Sequence, residues 1–214
     1  MTDTRKAGTM ILENLAMFNE AVVLYEKNVH IEIMEELDNT IIRWAEKEGW
    51  KGESDWQTDL DYETWIAPAE WNIGKEIEED FKAWFTLAHL DEDATDSYII
   101  ADFCGVGETE IGFWFRVQHQ FFGGKTQWNA FAKSISPEIA KQISLLGFLD
   151  QGKGSYFLPL HLQYKELASA WDNEDYANVF SPVTNALNTL KRSKSVFEEL
   201  LTCAESYKFN SQSE

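Results

Sequence analysis

From Thr9 to Glu48 the chain contains neither glycine nor proline. So long a run without a breaker constrains the fold more than any other feature, because the apolar residues in it recur at helical intervals. Ile11, Leu15, Phe18, Val22 and Tyr25 are three and four residues apart, and so are Val29, Ile33, Leu37, Ile41 and Trp44. That spacing predicts amphipathic helix, either one long rod or two helices broken near Asn28-Val29-His30. Gly49 is the expected stop.

Beyond Gly49 the period changes. "TWIAP", "KAWFTLAHL", "SYIIADF" and "TEIGFWFRVQHQ" are rich in aromatic and β-branched residues and predict strands. In the last of these Ile111, Phe113, Phe115 and Val117 alternate with Glu110, Gly112, Trp114 and Arg116, which gives a core face and a mixed face. The connections "DEDATD" and "CGVGE" are too short for parallel crossovers, so the strands are expected to be antiparallel. A fifth strand, "SYFLPLHL", carries Pro159 and is expected at an edge. Ser136-Pro137-Glu138 and Ser181-Pro182 combine a cap with a proline and open helices. Asp172 or Asn173 is expected to cap another, and Gly147 to end the first. The chain is thus expected to be one α+β domain over residues 1–214: helical at 9–49, an antiparallel sheet at 62–118, and mainly helical at 126–207 with an edge strand near 155–162. The sheet should have four to five strands, flanked by long N-terminal and C-terminal helices.

Composition narrows the setting. Of 214 residues 44% are hydrophobic, with nine Trp, 14 Phe and seven Tyr, enough to build a real core. There is no apolar run near 18 residues, and the start "MTDTRKAGTM" has no apolar leader, so neither a membrane span nor secretion is expected. Cys104 and Cys203 are far apart and suit two reduced thiols in a cytoplasmic protein.

The formal net charge is −19 and it is uneven. Residues 51–110 hold 17 acidic and 3 basic groups, or −14, whereas residues 111–165 hold 2 and 6, or +4. Such a balance opposes binding to duplex nucleic acid, which needs clustered Lys and Arg.

Motifs that carry chemistry are weak. "HQFFGGKT" ends like a phosphate loop but has His119 where the first glycine belongs, so an ordinary Gly-Gly turn is expected. Asp59 or Asp61, with Asp80 and Lys82, has the spacing of a metal-dependent nuclease, two carboxylates for Mg²⁺ and a lysine for a phosphate. Against it, the apolar run follows Asp80 instead of preceding it. His30, His89, His119 and His161 show no metal-ligand spacing. Cys104 lies between Asp102 and Glu108, whose charges disfavour a thiolate. No cofactor or metal is implied.

The expected function is therefore binding: an acidic cytoplasmic module that docks a basic protein. The partner class in view is a nucleic-acid-binding protein, engaged by phosphate mimicry. Trp65 and Trp71 would serve as anchors beside the carboxylates of Glu76, Glu78, Glu79 and Asp80. The carboxylates of the acidic segment are expected to face solvent, and most of the tryptophans to be core. The alternatives are a nuclease centred on Asp61, Asp80 and Lys82, and a structural accessory protein that oligomerises through its long helices.

Overall fold

The computed structural model describes residues 2–54, 64–74, 80–91, 93 and 97–211. Helices α1 (Thr2–Glu13), α2 (Leu15–Leu24) and α3 (His30–Glu48) follow one another, with a π-helical segment, Tyr25–Val29, between the last two. The interruption overlaps the break expected near Asn28-Val29-His30, but as a wider helical turn and not as a loop. Gly49 closes α3 at φ 69° while its N–H reaches the Ala45 and Glu46 carbonyls, a left-handed cap that a β-carbon would strain.

A six-stranded antiparallel sheet follows, in the order β1-β2-β3-β4-β6-β5. The strands are β1 (Trp50–Glu53), β2 (Thr64–Pro68), β3 (Ala83–His89), β4 (Ile111–Val117), β5 (Leu149–Asp150) and β6 (Tyr156–Leu160). Between them lie α4 (Ile99–Phe103), α5 (Lys125–Ala132) and α6 (Pro137–Leu145); α7 (Tyr164–Asn173) and α8 (Ser181–Ser211) complete the chain. The α+β class, the antiparallel order and the long terminal helices are as the sequence implies.

Four details differ. β1 and β5 carry too few residues to show an alternation, and neither was foreseen. "SYIIADF" is not a strand, since Ile99–Phe103 forms a short helix inside the β3–β4 connection. The cause is Asp102, whose carboxylate gathers the Ser97 hydroxyl and the Glu108 and Thr109 amides and so wraps the backbone around itself. β6 is not the outermost strand, yet β5 pairs only with its Tyr156 and Phe157 and leaves Pro159 without an outer neighbour. Asp172 and Asn173 end α7 instead of capping a helix.

The core follows from the register. Phe85 of β3 sits opposite Phe115 of β4, and Phe197 of α8 descends onto both. Its ring stacks on Phe115 at 4.2 Å between centroids and touches Phe85, Phe148 and Tyr156 at 5.5, 5.2 and 5.8 Å. Beside it α3 packs through Trp44, whose ring meets Trp50 edge-on at 5.2 Å. The opposite sheet face carries Trp65, Thr86, Trp114 and Phe157 in one cross-strand row, all buried, with Arg116 over the Trp114 ring at 4.7 Å.

Candidate functional site

The strand order decides where charge collects. β1 ends, β2 begins, β3 ends and β4 begins at the same end of the sheet. There the Leu90 N–H donates to the Glu110 carbonyl at 2.7 Å, and the Asp91 N–H to the Thr109 hydroxyl at 3.1 Å. These bonds hold the two strand exits together, and with them the exposed carboxylates of Asp91, Asp93, Glu108 and Glu110; Glu53, at the end of the shorter β1, lies level with Thr86 and Trp114 at mid-sheet.

Beneath these carboxylates lies a buried one. Asp102 is 3% exposed. Its Oδ1 accepts from Ser97 Oγ at 2.6 Å, Glu108 N at 3.0 Å and Thr109 N at 3.3 Å, while Oδ2 lies 3.2 Å from His89 Nε2. The expectation that every carboxylate of the acidic segment faces solvent is corrected here: four polar partners replace the water that Asp102 gives up. Gly107 is tied to the same knot, since a β-carbon on it would fall 1.9 Å from Asp102 Oδ1. Ser97, Asp102 and His89 do not form a nucleophilic relay, because the serine donates to the aspartate and not to the histidine.

The base of the helical arm stands on this loop. The Tyr25 ring, in the π segment, packs on Tyr98 at 4.6 Å. Its hydroxyl is buried and makes no well-formed hydrogen bond. Burial first, then the neighbouring Tyr98, Cys104 and Asp102, pushes its pKa up to about 12. Burial also raises the Cys104 thiol, which keeps it protonated; desolvation, not the flanking carboxylates, is the cause.

From this base α2 and α1 run outward. No residue from Thr4 to Glu32 is buried, and the first that is buried is Ile33. Met10, Leu12 and Met17 are 66, 71 and 66% exposed, and Ile11, Leu15, Phe18, Val23 and Leu24 are exposed with them. A helix so apolar is normally covered. The π segment also sets the direction of this apolar surface. On an unbroken α-helix, at about 100° per residue, the stripe Ile11-Leu15-Phe18-Val22 would be offset by roughly a quarter turn from the buried stripe of α3. A π turn takes in one more residue than an α turn and removes an offset of that size. The arm's stripe therefore emerges on the side of α3 that faces the body, as the Tyr25–Tyr98 contact requires.

The residues singled out from sequence fare unequally. Trp65 and Trp71 are 3% and 1% exposed; Trp65 packs on Phe81 and Trp71 on Phe85 and Phe115. Neither offers its ring to a partner, and the anchor reading of both is corrected: burial against neighbouring rings outweighs the acidic sequence around them. Glu76, Glu78, Glu79, Asp59 and Asp61 lie outside the described residues. Asp80 precedes β3, at the sheet end opposite to Asp91, where Lys82 pairs with Glu205 of α8 at 3.0 Å and Lys194 with Glu70 at 2.7 Å. The acidic segment is thus divided between two sheet ends, and these lysine pairs lie at the end opposite to Asp91. Among the described residues no group of three His, Cys, Asp or Glu is placed to hold a metal ion. No described helix is long and apolar enough to cross a membrane. Gly123 and Gly124 form a turn at φ 88° and 95° ahead of α5, with His119 edge-on to Trp128 at 6.2 Å. Comparison with family models, curated proteins and solved structures finds no match to this chain.

Proposed function

We propose that the chain is a protein-binding module whose acidic sheet end docks a basic partner, a nucleic-acid-binding protein being engaged by phosphate mimicry. One observation carries the reading: Asp91, Asp93, Glu108 and Glu110 are exposed together where β3 ends, β4 begins and the loop over Asp102 connects them. Asp102 accepts from the Glu108 and Thr109 amides and Thr109 in turn from the Asp91 amide, which ties the backbone of Glu108 and Asp91 together, and a preorganised charge pattern costs less to bind. Lys82, Lys191 and Lys194 are paired with Glu205, Glu48 and Glu70 away from this end. Such a surface steers a basic protein by long-range attraction.

The test is capture of proteins from lysate on the immobilised full chain, followed by association kinetics with whatever basic protein is enriched. Association should slow between about 0.1 M and about 1 M salt, as the Debye length falls from about 10 to about 3 Å. The substitutions Asp91→Lys, Glu108→Lys and Glu110→Lys should slow it similarly, while a matched reversal of Lys133, Lys141 and Lys153 should not. If no basic protein is enriched, or if binding ignores both salt and the reversals, the proposal fails.

A further inference from the structure

The acidic sheet end leaves the helical arm unexplained. Its stripe has a second property beyond being apolar. Ile11, Leu15, Phe18, Val22, Tyr25 and Val29 alternate four and three residues apart, the 3.5-residue repeat of a coiled-coil seam. The last two members are already met by the body: Tyr25 rests on Tyr98, and Val29 packs against the core. The first four continue past it. Positions flanking these first four are Leu12, Asn14, Asn19 and Ala21, all uncharged in a chain with 37 acidic residues. Glu13 and Glu20 fall on the far side of the helix.

We propose that this arm pairs antiparallel with the arm of a second copy, Leu15 against Phe18 of the partner and Ile11 against its Val22. The inference rests on the protein-binding reading only in leaving the acidic sheet end free. Three observations select this occupant. A repeat of 3.5 residues needs a helix with the same repeat, and a second copy brings one whose flanks add no like-charge repulsion. The seam from Ile11 to Val22 is about 18 Å long, and an equal length of a second arm covers all of it. Charge sets the direction. In a chain of net −19, side-by-side arms would bring two acidic bodies together, whereas opposed arms part them by several Debye lengths. Opposed arms also carry Arg5 toward the partner's Glu26, since both occupy the same flank of the seam. The same charge argues against an anionic lipid surface, because the arm itself supplies only Arg5, Lys6 and Lys27 as cations.

Sedimentation of the full chain at micromolar concentration tests the pairing. A particle of twice the chain mass is expected, and Leu15→Glu with Phe18→Glu should weaken association at least about 100-fold. Glu20→Ala, on the far side, should leave it within about twofold. The body should unfold at the same urea concentration in every variant, since the arm contributes no buried residue, which separates lost pairing from lost folding. Direction is read by disulfide trapping in a Cys203→Ser background. A Leu15→Cys chain mixed with a Phe18→Cys chain should cross-link faster than either alone. Faster trapping of Leu15→Cys with itself overturns the antiparallel pairing. A monomeric wild type, a dimer that survives the double glutamate variant, or flotation of the chain with anionic vesicles overturns the proposal altogether. A monomer that still captures a basic protein sinks the pairing and leaves the proposed function standing.

Discussion

Replacing Asp102 by alanine tests whether the β3–β4 connection is built around one carboxylate. Four groups lose their acceptor: Ser97 Oγ, the Glu108 and Thr109 amides and His89 Nε2. Hydrogen bonds to a charged group are each worth about 1.5–3 kcal/mol net, but they do not add in full. Removing one partner of a buried charged pair costs about 3–5 kcal/mol when the other stays dry. Here Glu108 is exposed and Thr109 half-buried, so their amides can turn to water. The expected loss is therefore about 2–4 kcal/mol for Asp102→Ala. Asp102→Asn keeps a carbonyl oxygen for the three donors and turns an amide toward His89, and should cost about 1–2 kcal/mol. Urea unfolding followed by tryptophan fluorescence gives both values, and amide exchange at Glu108 and Thr109 reports whether the loss is local. Gly107→Ala, by crowding Oδ1, should resemble the alanine variant. A cost below about 1 kcal/mol for Asp102→Ala, or an asparagine variant as damaged as the alanine one, refutes the reasoning.

Three further outcomes follow from the packing. Phe197→Ala should lose about 3–5 kcal/mol by urea unfolding and Phe197→Leu roughly half that, because leucine keeps most of the volume but none of the ring contacts. Stability should fall as pH rises from about 10 to about 12: Tyr25 and Tyr156 both have pKa values raised to about 12, so the unfolded chain releases those protons first. Tyr25→Phe should remove part of that slope and, by deleting a buried hydroxyl without a well-formed hydrogen bond, leave stability at neutral pH unchanged or slightly higher. Ser136→Ala removes the acceptor for the Ile139 N–H at 3.2 Å and should cost about 1 kcal/mol in the same assay.

What could be read in advance depended on how local its cause was. The long helices, the cap at Ser136, the stop at Gly49 and the central strands are written in spacing and in single residues with one conformational preference. The helix at Ile99–Phe103 is not, because its β-branched residues answer to an aspartate whose partners come from the far side of a turn. The acidic sheet end is legible only as composition: the carboxylates at 91, 93, 108 and 110 become neighbours through two hydrogen bonds between strand exits, one to a carbonyl and one to the Thr109 hydroxyl. Trp65 and Trp71 show the reverse. Their sequence neighbours are acidic, but their spatial neighbours are phenylalanines, and in a folded chain the second set decides. The arm's seam was visible as spacing, whereas its exposure was not, since an apolar stripe looks the same whether the body covers it or leaves it bare.

The two ends of the sheet carry a consequence for behaviour at high concentration. β1 is four residues long and β5 only two, and β6 presents Pro159 just past the reach of β5. Bare strand edges are where sheets recruit further strands and grow into fibrils. Here each margin offers too few free N–H and C=O groups in a row to template another chain. Crowding this protein should therefore yield particles of fixed size instead of growing filaments, and any precipitate should lack the 4.7 Å spacing of stacked strands.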